Sequence, residues 1–191
     1  MSPLAKDAVI KFGSFVVTSQ VFHTTPLSYA LVNLKPLLPG HVLVSPRRVV
    51  PRFHDLSAAE VQDLFLTVQR VSRMVERVFD ATSLNIAIQD GVDAGQSVPH
   101  VHAHIIPRKR EDLADKGGTD AIYGMMNGEE GDLGGQLRER DGKEKEQGQR
   151  IRFPAVDADE SRKPRSEEVM VQEAEWLADE MAKDEVGGPE V

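Results

Sequence analysis

Apolar residues along the first hundred positions fall into short runs separated by turn chemistry. Segments 9–17, 20–24, 28–34 and 41–45 are rich in β-branched and aromatic residues, and Lys35-Pro36 and Pro39-Gly40 break them. They read as short, mostly antiparallel strands. SYALVNL (28–34) and HVLVSP (41–46), joined by KPLLPG, read as neighbours in one sheet. The period then changes. Ser57 is a good N-cap and Glu60 completes a capping box. Val61, Leu64, Phe65, Val68, Val71, Val75 and Val78 recur at helical spacing, with Gln62, Asp63, Gln69, Arg70, Arg73, Glu76 and Arg77 on the wet side. The spacing predicts a helix ending near Phe79 or Asp80, its apolar stripe packed into a core. SLNIAIQDG (83–91) returns to a strand, residues 91–99 form a Gly-containing loop, and HVHAHIIPR (100–108) is the last strand.

Beyond residue 109 the pattern dissolves. The stretch to 165 holds nine of the 15 glycines, and RERDGKEKEQGQR (138–150) has no face to bury. Ser166 then starts a helix on which Met170, Ala174, Leu177 and Met181 share one side, with Trp176 nearby. The expected organisation is a folded domain over 1–112, an acidic Gly-rich loop without fixed structure over 113–165, and a C-terminal helix over 166–185 docked on the domain.

Composition narrows the class. The chain has 191 residues, 40% hydrophobic and 28% charged, which is ordinary for one globular domain. No run approaches the ~18 apolar residues of a membrane span. MSPLAKDAVIKFG lacks the continuous apolar stretch of a secretory signal. The expectation is a cytoplasmic protein, with the nucleus also open to it, and no membrane partner. The absence of cysteine excludes disulfides, cysteine nucleophiles and thiolate metal sites. The net charge of −8 is unevenly spread. Residues 1–110 carry 12 basic and 8 acidic residues, a balance of +4 suited to an anion. Residues 111–191 carry 11 and 23, a balance of −12 that argues against nucleic acid.

The candidate chemistry lies at 96–108. His100, His102 and His104 alternate with Val101, Ala103 and Ile105. On a strand, side chains two apart share a face, so the three imidazoles should look one way and the apolar side chains into the core. A zinc site is the main competitor. Positions 100 and 104 would be ~13 Å apart along a straight strand, too far to converge on one ion, so no protein-held metal is expected. A polyphosphate is extended and lined with oxygens, and imidazoles ~6.6 Å apart can address successive parts of it. His102, in the middle, is best placed to attack phosphorus, since neutral imidazole is nucleophilic near pH 7. His100 and His104 can hydrogen-bond phosphoryl oxygens. Just upstream, Gln96, Ser97 and the N–H groups around Gly95 offer an anion cradle.

HVHAHII (100–106) matches His-φ-His-φ-His-φ-φ, with φ apolar, at every place. The chain thereby resembles the histidine-triad (HIT) superfamily, and most of all its Fhit branch of dinucleoside polyphosphate hydrolases. SYALVNLKPLLPGHVLVSP (28–46), RFHDLSAAEVQDLF (52–65), SLNIAIQDG (83–91), AGQSVPHVHAHIIPRK (94–109), TDAIY (119–123) and RSEEVMVQEAEWL (165–177) carry the likeness. The resemblance implies an α+β, HIT-like fold: a five-stranded antiparallel sheet with one long helix and a C-terminal helix, extended across a homodimer. It implies hydrolysis of diadenosine triphosphate to AMP and ADP, with the tetraphosphate as a further substrate. His102 would carry AMP, His104 would contact phosphoryl oxygens, His100 would support the site, and Gln96 would contact the oxygens around the scissile bond. Asn33 and Gln89 would hold ribose and phosphate, Gly95, Gln96, Ser97 and Val98 would line the phosphate path, and Phe12, Leu31 and Leu43 would flank adenine. It also implies Mg²⁺ or Mn²⁺ carried on the substrate. Ser14 or Phe15 stands where the branch has a histidine near the nucleotide, a change bearing on affinity rather than chemistry. The 124–164 insert is longer than the branch leads one to expect, and Tyr123 matches a family tyrosine.

The same residues leave other readings open. One is a nucleoside phosphoramidase or nucleotidyl transferase of the same superfamily, although the ending IIPRK differs from the Gly-Gly-Arg-Gln-Met type. Another is a dinucleotide-binding signalling protein whose bound complex is the output.

Overall fold

The computed structural model describes residues 9–128, 131–142 and 165–187. The segment 9–17 is a small hairpin rather than one strand. β1 (Lys11–Phe12) pairs with β2 (Phe15–Val16) around Gly13, which takes φ +58°. That left-handed conformation suits glycine and reverses the chain.

A five-stranded antiparallel sheet follows, built from β3 (Val21–Thr24), β4 (Ser28–Val32), β5 (Val42–Pro46), β6 (Ser83–Ile88) and β7 (Ala103–Arg108). Their order is β3-β4-β5-β7-β6. β4 and β5 are neighbours in continuous register from Ser28↔Pro46 to Val32↔Val42. The last strand inserts between β5 and β6, so residues 60 positions apart meet in the middle of the sheet.

α1 (Ala58–Phe79) connects β5 to β6. Ser57 accepts from the Glu60 N–H and the Glu60 carboxylate accepts from the Ser57 N–H, while Asp80 closes the helix in the left-handed region. α4 (Glu167–Gly187) packs beside α1 and along β3. Arg77 of α1 pairs with Glu180 and Asp184 of α4 at 2.7 and 2.8 Å. Met170, Ala174, Leu177 and Met181 are buried in one cluster with Leu64, Val68, Val71 and Val75 of α1.

Cross-strand register sorts the sheet into two faces. Val42 and Val44 lie opposite Ile105 and Ala103, all four in the same cluster as α1 and α4. The other face carries the row Leu31, Leu43, His104 and Ala87. Ile106, two residues past His104, clusters with Ile122, Met125 and Met126 of α2 (Ala121–Asn127). α3 (Leu133–Arg140) adds Leu133 and Leu137 to the main core.

Two expectations are corrected here. The described part of 113–165 is not without fixed structure, because Ile122, Met125 and Met126 at helical spacing and the i, i+4 pair Leu133 and Leu137 bury apolar stripes. Residues 129–130 and 143–164 of that expectation lie outside the described residues. Strand pairing also begins at Ala103 and not at 100, and both faces of 100–106 are buried, so the histidine face is no open surface.

Leu177 is fully buried between α4 and the core. Leu177→Ala should lower unfolding stability by about 2–5 kcal/mol, measured by urea denaturation. A cost below about 0.5 kcal/mol would mean that α4 is not part of the cooperative fold.

Candidate active site

The three histidines of the motif are drawn together, each held differently. His100 sits in the turn before β7, fully buried. Its Nδ1 accepts from the Gly13 N–H at 3.1 Å, and its Nε2–H points at the carbonyls of Pro46 and Arg48 at 2.9 and 3.1 Å. Both nitrogens are thus committed to backbone, and the ring ties the β1–β2 hairpin to the end of β5. Gly13 is needed here for space as well as conformation, since a Cβ would lie 2.8 Å from Val98.

His102 donates from Nδ1 to the His100 carbonyl at 2.7 Å. That bond places the proton on Nδ1 and leaves the lone pair on Nε2. Nε2 has no hydrogen-bond partner among the described residues. Phe12 meets this ring edge-on at 5.0 Å, and the His104 ring stands 4.9 Å away, centre to centre. The spacing is tighter than a straight strand would give, because His102 precedes the paired segment.

His104 brings in a residue the sequence did not single out. The Leu37 N–H, which can only donate, points at Nδ1 of His41 at 3.1 Å. His41 must then carry its proton on Nε2, which lies 2.9 Å from Nδ1 of His104. His104 in turn carries its proton on Nε2, a buried N–H without a partner among the described residues. A single backbone amide thus fixes two tautomers in succession and leaves a buried donor at the end of the relay. Asn33 lies against the His41 ring, its amide nitrogen 3.4–3.5 Å from both ring nitrogens. His41 was legible in hindsight. It stands two positions before Leu43, so on a strand beside β7 it shares the face of His104.

Electrostatics keep the cluster neutral. Desolvation is the leading cause at all four rings. It pushes His41 down to about 3 and His100 to about 4, lowers His102 and carries His104 well below its ordinary value. At His41 and His104 the neighbouring imidazoles act in the same direction, and Arg165 adds to the effect at His41. At His102 the bond to the His100 carbonyl partly opposes it.

The remaining candidates divide. Leu31 and Leu43 share the cross-strand row of His104, and Phe12 lies between the rings of His100 and His102. Asn33 joins them, with its side-chain oxygen accepting from the Lys35 N–H and its carbonyl from Arg165. Gln89 is buried and donates to Asn127 of α2, close to Gly95. Ser97 accepts from the Gly134 N–H of α3, and Val98 is fully buried. Gln96 is held by backbone on both sides of its amide. Its oxygen accepts from the Gly91 N–H and its amide donates to the Pro51 carbonyl, so the side chain staples the 91–96 loop. Ser14 lies in the turn of the β1–β2 hairpin, whereas Phe15 is buried. Tyr123 is exposed.

Fold and site together define an α+β domain with a neutral imidazole cluster on one face of its sheet. A model of the HIT domain family matches residues 14–111, just over half of the chain. A bis(5'-nucleosyl)-tetraphosphatase [asymmetrical] of Schizosaccharomyces pombe is 50% identical over 169 residues, 87% of this chain and 91% of that one. The bifunctional bis(5'-adenosyl)-triphosphatase/adenylylsulfatase FHIT of Arabidopsis thaliana is 54% identical over 64% of this chain and 67% of that one. The chain belongs to the HIT domain family. Among solved structures, Plasmodium falciparum diadenosine triphosphate hydrolase in complex with cyclomarin A is similar, with a TM-score of 0.62 and 28% identity, covering 96% of this chain and 88% of that one. The C. elegans NitFhit protein has the same TM-score at 34% identity, covering 94% of this chain and 31% of that one.

Buried neutral imidazoles make stability fall with acid. Their folded pKa values lie below 6.5, so the unfolded chain binds more protons below that pH. The contribution is complete above pH 6.5 and is lost as pH falls toward the folded values near 4 and 3. Unfolding free energies from urea titrations should be flat from pH 8 to 6.5 and then drop by an amount on the order of a few kcal/mol by pH 4. Removing His100 by His100→Gln should flatten part of that slope.

Proposed function

We propose that this chain hydrolyses diadenosine polyphosphates, diadenosine triphosphate to AMP and ADP and the tetraphosphate to AMP and ATP, through a nucleotidyl-histidine at His102. The observation that carries the reading is the Nε2 lone pair of His102 beside the Nε2–H of His104, both without a hydrogen-bond partner among the described residues. The activities of the relatives support the substrate class, and the S. pombe tetraphosphatase matches over 87% of the chain, which favours the longer substrate as well.

The first step is attack of Nε2 on the α-phosphorus. A P–N bond forms, the bond from phosphorus to the bridging oxygen breaks, and its electron pair leaves with the nucleoside diphosphate or triphosphate. The imidazolium so formed keeps its Nδ1–H on the His100 carbonyl, which stabilises the new positive charge. The His104 N–H stabilises the charge gathering on the phosphoryl oxygens. Water then attacks the same phosphorus: a P–O bond forms, the P–N bond breaks and its electron pair returns to Nε2, and AMP leaves with the hydroxyl of the water while the other proton passes to solvent. Neutral rings suit this chemistry, since a protonated His102 has no lone pair to offer.

In the same proposal, Asn33, Gln89, Gly95, Ser97 and Val98 line the ribose and phosphate path, and Phe12, Leu31 and Leu43 flank adenine. Gln96 acts through the loop it holds. A divalent cation, Mg²⁺ or Mn²⁺, arrives on the polyphosphate. The imidazoles do not fit it, because hard cations prefer oxygen and most of the ring nitrogens are already hydrogen-bonded. We place the protein in the cytoplasm and nucleus. Among the described residues no helix is long and apolar enough to cross a membrane.

His102→Asn should lower turnover of diadenosine triphosphate by at least ~10³-fold, about 4 kcal/mol of barrier, while dinucleotide binding persists. Mass spectrometry of wild-type protein quenched during turnover should find AMP on His102. A variant that keeps most of its turnover removes His102 from the nucleophile's place.

The proposal includes a homodimer joined through β6. This strand is the sheet edge away from α4, and its Ile86 is 49% exposed. An open, apolar edge invites pairing. Light scattering should find a dimer for the wild type and a monomer for Ile86→Lys, and a monomeric wild type would remove this part.

A further inference from the structure

The face that should bind the nucleotide is already covered. Beside His104, His41 and Asn33 the structure leaves a cavity of only about 10 Å³, whose remaining walls include Met126, Gly131, Leu133 and Gln136. Such a space is about that of a single water molecule. Pockets for ligands of nucleotide size run to roughly 300–1,000 Å³.

We infer that helices α2 and α3 occupy the nucleotide site of the resting chain, so that a dinucleoside polyphosphate reaches His102 only after they lift. This rests on the function proposed above and adds a condition on access. The contacts fall on the very residues assigned to substrate. The Gly134 N–H donates to Ser97 at 3.1 Å, Asn127 accepts from Gln89 at 3.4 Å, and Gln136 is buried in the wall beside Asn33 and His104. Leu133 and Leu137 enter the buried cluster that contains Phe12, Leu31, Leu43 and Val98. Arg140 anchors the far end of α3 on the Val16 carbonyl at 3.3 Å.

The same segment is built to release. Two of the eight residues of α3 are glycines, the poorest helix formers after proline. Gly134 has a second reason to be there, because a Cβ at that position would lie 2.1 Å from the Ser97 carbonyl oxygen. Close docking therefore requires a residue that weakens the docked helix.

Gly134→Ala tests this without touching the histidines. The added methyl should hold α3 off its seat. Carbethoxylation of His102 by diethyl pyrocarbonate, read by peptide mass spectrometry, should then run at least ~5-fold faster than in the wild type. If the docked form makes up nine-tenths of the wild type, KM for diadenosine triphosphate should fall by up to about tenfold. Leu137→Ser, which removes the apolar anchor, should act in the same direction if Gly134→Ala folds poorly. In the His102→Asn protein, binding of diadenosine triphosphate should speed amide exchange over 131–142. Unchanged carbethoxylation in both variants, or slower exchange on binding, would overturn the inference. Failure of that protein to bind any dinucleotide would count against the proposed function instead, and the carbethoxylation rates would still judge the cap.

Discussion

The direction of one hydrogen bond organises the site. The Leu37 amide has a proton to give and nothing with which to accept. That asymmetry passes through His41 to His104 and decides which nitrogen of each ring carries hydrogen. The His100 carbonyl does the converse for His102, accepting at Nδ1 and leaving Nε2 basic. A donor on one ring and a lone pair on the next are thus set side by side without any charged group. Burial makes the arrangement durable, because desolvation opposes the second proton that would erase the distinction between the two nitrogens.

This polarity carries a cost that the fold sustains elsewhere. A buried N–H without a partner costs about 1–3 kcal/mol, and Nε2–H of His104 has none among the described residues. The sheet supplies the rigidity that keeps it in place. β7 is inserted between β5 and β6, so His104 is flanked by Leu43 and Ala87 on either side, and Ser45 holds the Val101 carbonyl at 2.7 Å. The ladder prevents the strand from rotating to satisfy that N–H. The β1–β2 hairpin closes the other end by bringing Phe12 against two rings and Gly13 against His100.

What could be read in the sequence was what local periodicity encodes. The capping box at Ser57 and Glu60, the α1 stripe and the C-terminal helix depend on neighbours within a turn or two, and the β4–β5 pair joins consecutive segments of the chain. The histidine face was legible because its period matches a strand. His41 was missed because its partner is 63 positions away, and only the insertion of β7 beside β5 joins them. The two backbone partners of Gln96, the Gly91 N–H and the Pro51 carbonyl, were hidden for a related reason, since only the folded 91–96 loop brings them together. Glycine misled in the insert. Its density there suggested a chain without structure, but Gly131 and Gly134 lie where a Cβ would meet the backbone at Met126 and at Ser97. Composition alone cannot separate glycine used for freedom from glycine used for close approach.

That second use of glycine explains why the insert and the site belong to one physical problem. The face assigned to the purine in the proposed function is apolar, presenting Leu31, Leu43 and Ile106 around the imidazoles. Left bare, such a face is both an aggregation hazard and a route for water to the histidines. Water there would weaken the desolvation that keeps the rings neutral. A covering of Met125, Met126, Leu133 and Leu137 meets both needs. A covering that held too firmly would exclude the substrate, so its helices are short and interrupted by glycine. The glycine that first suggested a chain without structure is what such a removable cover requires, since it permits close docking and weakens the docked helix.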